Sequence, residues 1–150
     1  EMNADDKYFL SSGYVETLER HKARHESKGN GFGYKIVNLP EIECPVSNAI
    51  LATGGSGKER NLVIDTRLED FTPVTNIKGE INRDGLRRMT PREWARLQGF
   101  PDNFIIGVAD ASAYKQFGNS VAVPAIQATA EEIIKRINLS KSIQYGTDRK

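Results

Sequence analysis

The stretch that decides the fold is "RRMTPREWARLQGFP", residues 87–101. Thr90 stands where an N-cap belongs, its hydroxyl placed to accept from the N–H of Glu93. Glu93, three residues on, can reach back and close a capping box. Pro91 takes the first helical position, where its missing N–H costs nothing. Met89 and Trp94 flank the cap as a hydrophobic staple. Gly99 suits the left-handed position after the helix, Phe100 folds back toward Trp94, and Pro101 forbids continuation. The spacing predicts a helix over 91–98. A helix this short is marginal by itself in water, so such dense bracketing predicts a small element held in a fixed pose inside a larger fold.

Outward from this helix, the N-terminal side reads as turns and short β-like runs. "YKIVNL", "NAILAT", "NLVID" and "FTPVTNI" are separated by Gly, Pro, Asp and Asn clusters, as in a small irregular sheet region. "GNGFGY" and "INRDGL" are turn signals. Further upstream, residues 8–28 predict a helix capped near Ser11 or Ser12, with sparse apolar positions at Tyr14, Val15 and Leu18. On the C-terminal side, "DNFIIGVADASAYKQFGN" reads mostly as loop. From Ser120 the chain turns helical, with Ile126, Ala130, Ile133, Ile134 and Ile137 forming an apolar stripe. The tail "NLSKSIQYGTDRK" is polar and is expected to fray. There is no internal repeat.

At 150 residues the chain has room for one domain with a modest core. The net charge of +1 supplies no global basic field. One cysteine excludes an intrachain disulfide framework. No apolar run approaches a membrane span and no signal peptide is visible, so a cytoplasmic home is the default expectation. Glu1 precedes any methionine, which fits either a piece of a longer chain or a start at Met2 after one extra residue.

Several features invite a chemical reading. His21 and His25 are four apart, the spacing of a helical metal chelate, but Lys and Arg crowd them and no third ligand is evident. A solvated face is the reading there. Cys44 in "ECPV" has no His/Asp pattern around it and reads as a small apolar residue. "TGGSGKER" (53–60) fails as a phosphate loop, because Ala52 and Glu59 stand where Gly and Ser/Thr are needed. It reads as a surface loop with Lys58 and Arg60 at its tip, either a plain turn or a contact to a DNA backbone or base edge. In "QFGNSVAVP" (116–124), Gly118 and Asn119 read as a tight turn before a helix whose free N–H groups form an anion site. An ordinary cap is the alternative.

Taken together, "RRMTPREWARLQGFPDNF" and "AYKQFGNSVAVPAI" closely resemble the last two sequence blocks of the bacterial DNA (cytosine-5) methyltransferases, in that family's order and spacing. The family pattern for the first block is close to R-x-L-T-P-R-E-x-A-R-L-Q-G-F-P-D, and Met89 departs from it where leucine is usual. "LERHKARHESKGNGFGYKIV" is similar to the stretch leading into the family's variable target-recognition region. The resemblance covers roughly residues 8–137.

It implies that the first block organises the recognition region and borders DNA. It implies that the Gly-Asn-Ser-Val segment contacts S-adenosyl-L-methionine through Asn119, Ser120 and Val121. The expected DNA-facing residues are Lys58, Arg60, Arg83, Arg87 and Arg88. For Arg92 and Glu93, a buried ion pair or cap is an equal reading. From 58 to 96, nine Lys/Arg stand against seven Asp/Glu, so DNA affinity is expected to lean on a partner's basic surface.

The family attacks cytosine with a cysteine in Pro-Cys, assists with a glutamate in Glu-Asn-Val, and binds its cofactor through a Gly-rich loop. None of these occurs here; Cys44 precedes proline, in the reverse order. The resemblance therefore implies an α+β chain in four parts. Residues 1–30 are a helical lead-in. Residues 31–105 are a small, irregular, β-rich target-recognition region that includes the helix at 90–99. Residues 106–138 are a loop and amphipathic helix completing a cofactor domain, and 139–150 a polar tail.

The C-terminal helix would pack on a Rossmann-like catalytic domain supplied from elsewhere. The expected partners are double-stranded DNA and that catalytic domain or subunit, with self-association through the apolar stripe as a further expectation. No membrane or metal is implied, and no activity is expected of this chain alone. The whole enzyme would serve a restriction–modification system. Two rival readings stay open: a stand-alone DNA-binding module, and a remnant that binds nothing.

Overall fold

The computed structural model describes residues 4–31, 33–41, 43, 46–52, 58–67 and 79–147. Cys44, residues 53–57 of the glycine loop and the run "FTPVTNI" lie outside the described residues.

The described chain is α+β. Helix α1 (Ser12–Glu26) precedes strand β1 (Lys35–Ile36), a 3-10 turn (Lys58–Arg60) and strand β2 (Asn61–Ile64). Strand β3 (Leu86–Arg88) leads directly into α2 (Pro91–Leu97), followed by α3 (Asp110–Asn119) and α4 (Val123–Thr147). The sheet order is β1-β2-β3, with β1 parallel and β3 antiparallel to β2. The segment before α1 lies along β3 through a bridge between Phe9 and Arg87. Asn82 fixes it there: its amide donates to the carbonyls of Leu10 and Leu86, and its carbonyl accepts from the N–H of Leu86.

Side-chain alternation along β2 divides the core in two. Leu62 and Ile64 join Leu10, Val15 and Leu86 on the α1 side. Val63 joins Met89, Trp94, Ala95, Ala113, Tyr114 and Phe117 on the α2–α3 side. The sheet is thus sandwiched between α1 and the α2–α3 pair. Both faces of β2 are covered, which is why "NLVI" carries almost no polar alternation.

Three sequence expectations are corrected here. "NAILAT" forms no strand over its described residues. The Asn61 side chain instead takes both backbone groups of Asn48, accepting from its N–H and donating to its carbonyl, and the Asn48 amide donates to the carbonyls of Gly33 and Arg60, which replaces a ladder. Residues 110–119 are helix rather than loop, because Ala113, Tyr114 and Phe117 form an apolar face that packs on α2. And α4 continues through the supposedly frayed tail to Thr147.

Candidate nucleic-acid and cofactor site

Helix α2 has the local structure its sequence dictates. Thr90 Oγ1 accepts from the Glu93 N–H, Glu93 Oε2 accepts from the Thr90 N–H at 2.8 Å, and Pro91 opens the helix. Gly99 is left-handed at φ 79°. The Phe100 N–H reaches the Ala95 carbonyl and the Gly99 N–H that of Arg96, the paired bonds of a Schellman cap. Trp94 is buried and meets Tyr114 of α3 edge-on at 4.8 Å. The Tyr114 hydroxyl donates to the Met89 carbonyl. Phe100 stacks its edge on Phe117.

Beneath this helix runs a chain of charges. Arg87 is 2% exposed. Its two terminal nitrogens each donate to one oxygen of Glu93 at 2.8 Å, and its Nε donates to Asp65 at 2.9 Å. Asp65 also takes a two-pronged contact from Arg67, which reaches on to the Ala4 carbonyl. Burial alone would push the Glu93 carboxyl up, but the Arg87 fork and the Thr90 N–H outweigh it and hold the group below its usual range. Asp65 is held far below the usual carboxylate range, first by its bonds from Arg67 and, against burial, by Arg87 as well.

This corrects the DNA-facing set. Arg87 was expected at the DNA, but it points to the α2 side of the sheet and has carboxylates for partners, so no part of it is offered to a phosphate. Arg88 is committed similarly: one nitrogen donates to the Lys7 carbonyl and another lies 3.9 Å from Glu59. The Arg83 side chain, by contrast, is 90% exposed and, among the described residues, makes only a long contact to Glu80. Arg60 lines a groove against α1, and Lys58 begins the same 3-10 turn. Of the two residues left open, Glu93 is both cap and buried ion pair. Arg92 donates to the carbonyls of Phe104 and Pro101.

The second block is placed against the first. Gln98 Nε2 donates to the carbonyls of Phe117 and Ser120, and its backbone carbonyl accepts from the Val123 N–H at 2.7 Å. Pro124 presses on Gly99 so closely that a Cβ there would lie 2.5 Å from the proline ring. Gly118 serves a different contact: a Cβ would meet the Leu51 carbonyl oxygen at 2.6 Å and the Ala52 backbone at 2.7 Å. The loop at 51–52 therefore lies directly on α3.

The anion-site argument for "GNSV" is overturned by this geometry. Gly118 and Asn119 end α3 rather than start a helix, so their N–H groups are spent on the preceding turn. The Ser120 N–H and hydroxyl both donate to the Phe117 carbonyl. Helix α4 starts at Val123, whose N–H is taken by Gln98, and Pro124 has none. What stays available is the exposed Asn119 side chain and the exposed Val121, on a turn held by Gln98.

Sequence reasoning missed three residues of this arrangement. Asp65 carried one signal, a lone acid closing a buried apolar run. Tyr114 carried another, its helical spacing with Ala113 and Phe117, and Gln98 carried only its place in the first sequence block. His21 and His25 stack at 4.4 Å, and among the described residues no group of three metal-ligating side chains exists. Among the described residues, no helix is long and apolar enough to cross a membrane.

A sheet-anchored capped helix, clipped through one glutamine to a Gly-Asn-Ser-Val turn, is the arrangement of the two blocks named above. The chain belongs to the C-5 cytosine-specific DNA methylase family, whose model matches residues 1–135. It is 64% identical over 137 residues to the type II methyltransferase M.HpaII of Haemophilus parainfluenzae. It is 39% identical to M1.ScrFI of Lactococcus lactis subsp. cremoris and 34% identical to a DNA-cytosine methyltransferase of Escherichia coli K12. These matches cover 91–92% of this chain but only 37%, 30% and 30% of those proteins, so the chain spans about a third of their length. The fold is similar to that of the Entamoeba histolytica methyltransferase EhMeth, with a TM-score of 0.56 at 18% identity, over 91% of this chain and 39% of that one.

Proposed function

We propose that this chain is the target-recognition and cofactor-bracing part of a DNA (cytosine-5) methyltransferase of a restriction–modification system. The complete enzyme flips a cytosine from the duplex and attacks it with a thiolate to form a covalent adduct. S-adenosyl-L-methionine supplies the methyl group that C5 receives. The attacking cysteine and its assisting glutamate come from a catalytic domain or subunit, since Pro-Cys and Glu-Asn-Val are absent from these 150 residues. The chain alone is inactive.

The observation that carries this reading is the Gln98 clip. It ties the helix that organises the recognition region to the turn assigned to the cofactor, so both are positioned as one body. In this reading 31–105 is the recognition region and 106–138 completes the cofactor domain. Lys58, Arg60 and Arg83 face the DNA, whereas Arg87 and Arg88 hold the sheet to its neighbours. An exposed amide at Asn119 suits a ligand rich in charged and polar groups. That residue and Val121 would hold the cofactor, while Ser120 shapes the turn. The exposed stripe of α4, with Ile126, Ile133, Ile134 and Ile137 each about half exposed, packs on the catalytic domain. Burial of each such side chain is worth about 1.5–3 kcal/mol.

The test is co-expression with a catalytic portion carrying the two missing motifs, followed by mapping of methylated cytosines. Site-specific methylation that requires both parts is expected. Methylation at the same sites without this chain would sink the reading.

A further inference from the structure

We propose that the exposed cationic face of α1 is a phosphate-tracking surface for duplex DNA; the proposal rests on the DNA-recognition reading above. Arg20, Arg24 and Lys28 are spaced four apart, so they form one column along α1 and the turn that follows it. All three are exposed. Arg20 makes one short-range bond, to the Thr17 hydroxyl. Among the described residues none of the three has an acidic partner, although Glu16 lies four residues before Arg20. Glu19 and Glu26 are seven apart and occupy a different side of the helix. The apolar positions Val15 and Leu18 face the sheet. Lys22 stands with Glu19 and Glu26 on that other side, so the uniformly basic stretch of α1 is the column from Arg20 to Lys28, in a chain whose net charge is only +1.

The column matches a nucleic-acid strand in scale. Four helical residues rise about 6 Å, so the column spans about 12 Å. Phosphates of one B-DNA strand rise about 3.4 Å each along the axis and lie further apart along the winding backbone, so about two to three of them pass under it. The neighbouring column, His21 and His25, leads into a groove of about 200 Å³ between α1 and the Lys58–Arg60 turn, where His21 and Arg60 both line the wall. The surface is therefore continuous with the loop assigned to DNA. Arginine heads suit phosphate oxygens, and the column carries no apolar anchor of the kind a protein partner needs.

The test titrates the full 150-residue chain with a duplex of arbitrary sequence over a range of low salt concentrations. The comparison is with Arg20→Gln/Arg24→Gln/Lys28→Gln. Each lost phosphate contact removes about 0.9 from the log–log salt slope, so the slope should fall by about 2–3. Discrimination between sequences and the circular dichroism spectrum should stay unchanged. The opposite-side variant Glu19→Gln/Glu26→Gln should keep the wild-type slope. A folded triple variant with the wild-type slope overturns this surface and leaves the recognition reading standing. A wild-type chain that binds no DNA at the lowest salt also overturns this surface, and the recognition reading is then decided by the co-expression test.

Discussion

Arg87 on β3 and Glu93 on α2 meet as a two-pronged ion pair, both contacts at 2.8 Å, inside the body of the protein. Asp65 closes the other side of the guanidinium. Removing the arginine leaves two carboxylates facing each other in a buried site. Breaking a buried pair from one side costs about 3–5 kcal/mol. Arg87→Ala should therefore lose about that much stability in urea denaturation. A loss below about 1 kcal/mol would show that water or Arg67 replaces the missing charge.

The same network sets the acid limit of the fold. Asp65 and Glu93 both have carboxyls depressed in the folded state. Their stabilising contribution is complete above the unfolded value, about 4, and is lost as pH falls from there toward the folded values. Thermal melts should show little change in the neutral range and a steep fall in Tm below about pH 4. In Glu93→Gln that fall should be shallower, because one of the two titrating groups is gone. Identical acid slopes in the two proteins would exclude Glu93 from the transition.

Gly118 has no room for a methyl group, because backbone atoms of Leu51 and Ala52 occupy the place of its Cβ at 2.6–2.7 Å. Backbone cannot swing aside as a side-chain tip can. Gly118→Ala should push the 51–52 loop off α3 and cost about 1–3 kcal/mol. A melting temperature equal to wild type would mean that this loop is not seated on α3 in solution.

These cases show where the sequence was legible. Helix α2 was readable to its caps because each signal, from Thr90 to Gly99, acts within a few residues. Strand β3 was not: it is three residues long, two of them arginines, and Arg87 faces inward because Glu93 and Asp65, the latter 22 positions away, neutralise it together. The role of Gly118 was misread for a similar reason. Locally it signals a turn, while its actual constraint comes from a loop more than sixty residues upstream. Helix α3 is a different failure, since the spacing of Ala113, Tyr114 and Phe117 was helical in plain view and the glycine after them dominated the reading.

Cys44 stands before proline, not after it, and is not the nucleophile in the proposed reaction. Cys44→Ala, in the chain joined to its catalytic portion, should methylate DNA at the wild-type rate. A folded variant that forms no covalent complex with DNA would mean the nucleophile had been misplaced.

Asn119 and Ser120 are neighbours with opposite expected roles. Ser120 spends its hydroxyl and its N–H on the Phe117 carbonyl, and its own carbonyl accepts from Gln98. Its side chain is therefore part of the turn, and Ser120→Ala should cost about 0.5–1.5 kcal/mol of stability with little effect on the cofactor. Asn119 is exposed at the end of α3, and among the described residues its side chain has no protein partner. Its removal should leave the melting temperature nearly unchanged. If it bonds a charged group of S-adenosyl-L-methionine in the assembled enzyme, the loss is about 1.5–3 kcal/mol, a Kd raised roughly 10- to 150-fold. Calorimetric titration of the assembled enzyme with the cofactor reads both variants. Equal affinities for Asn119→Ala and wild type would remove this turn from the cofactor site, and a large loss in Ser120→Ala instead would mean that turn geometry, not the Asn119 amide, governs cofactor binding.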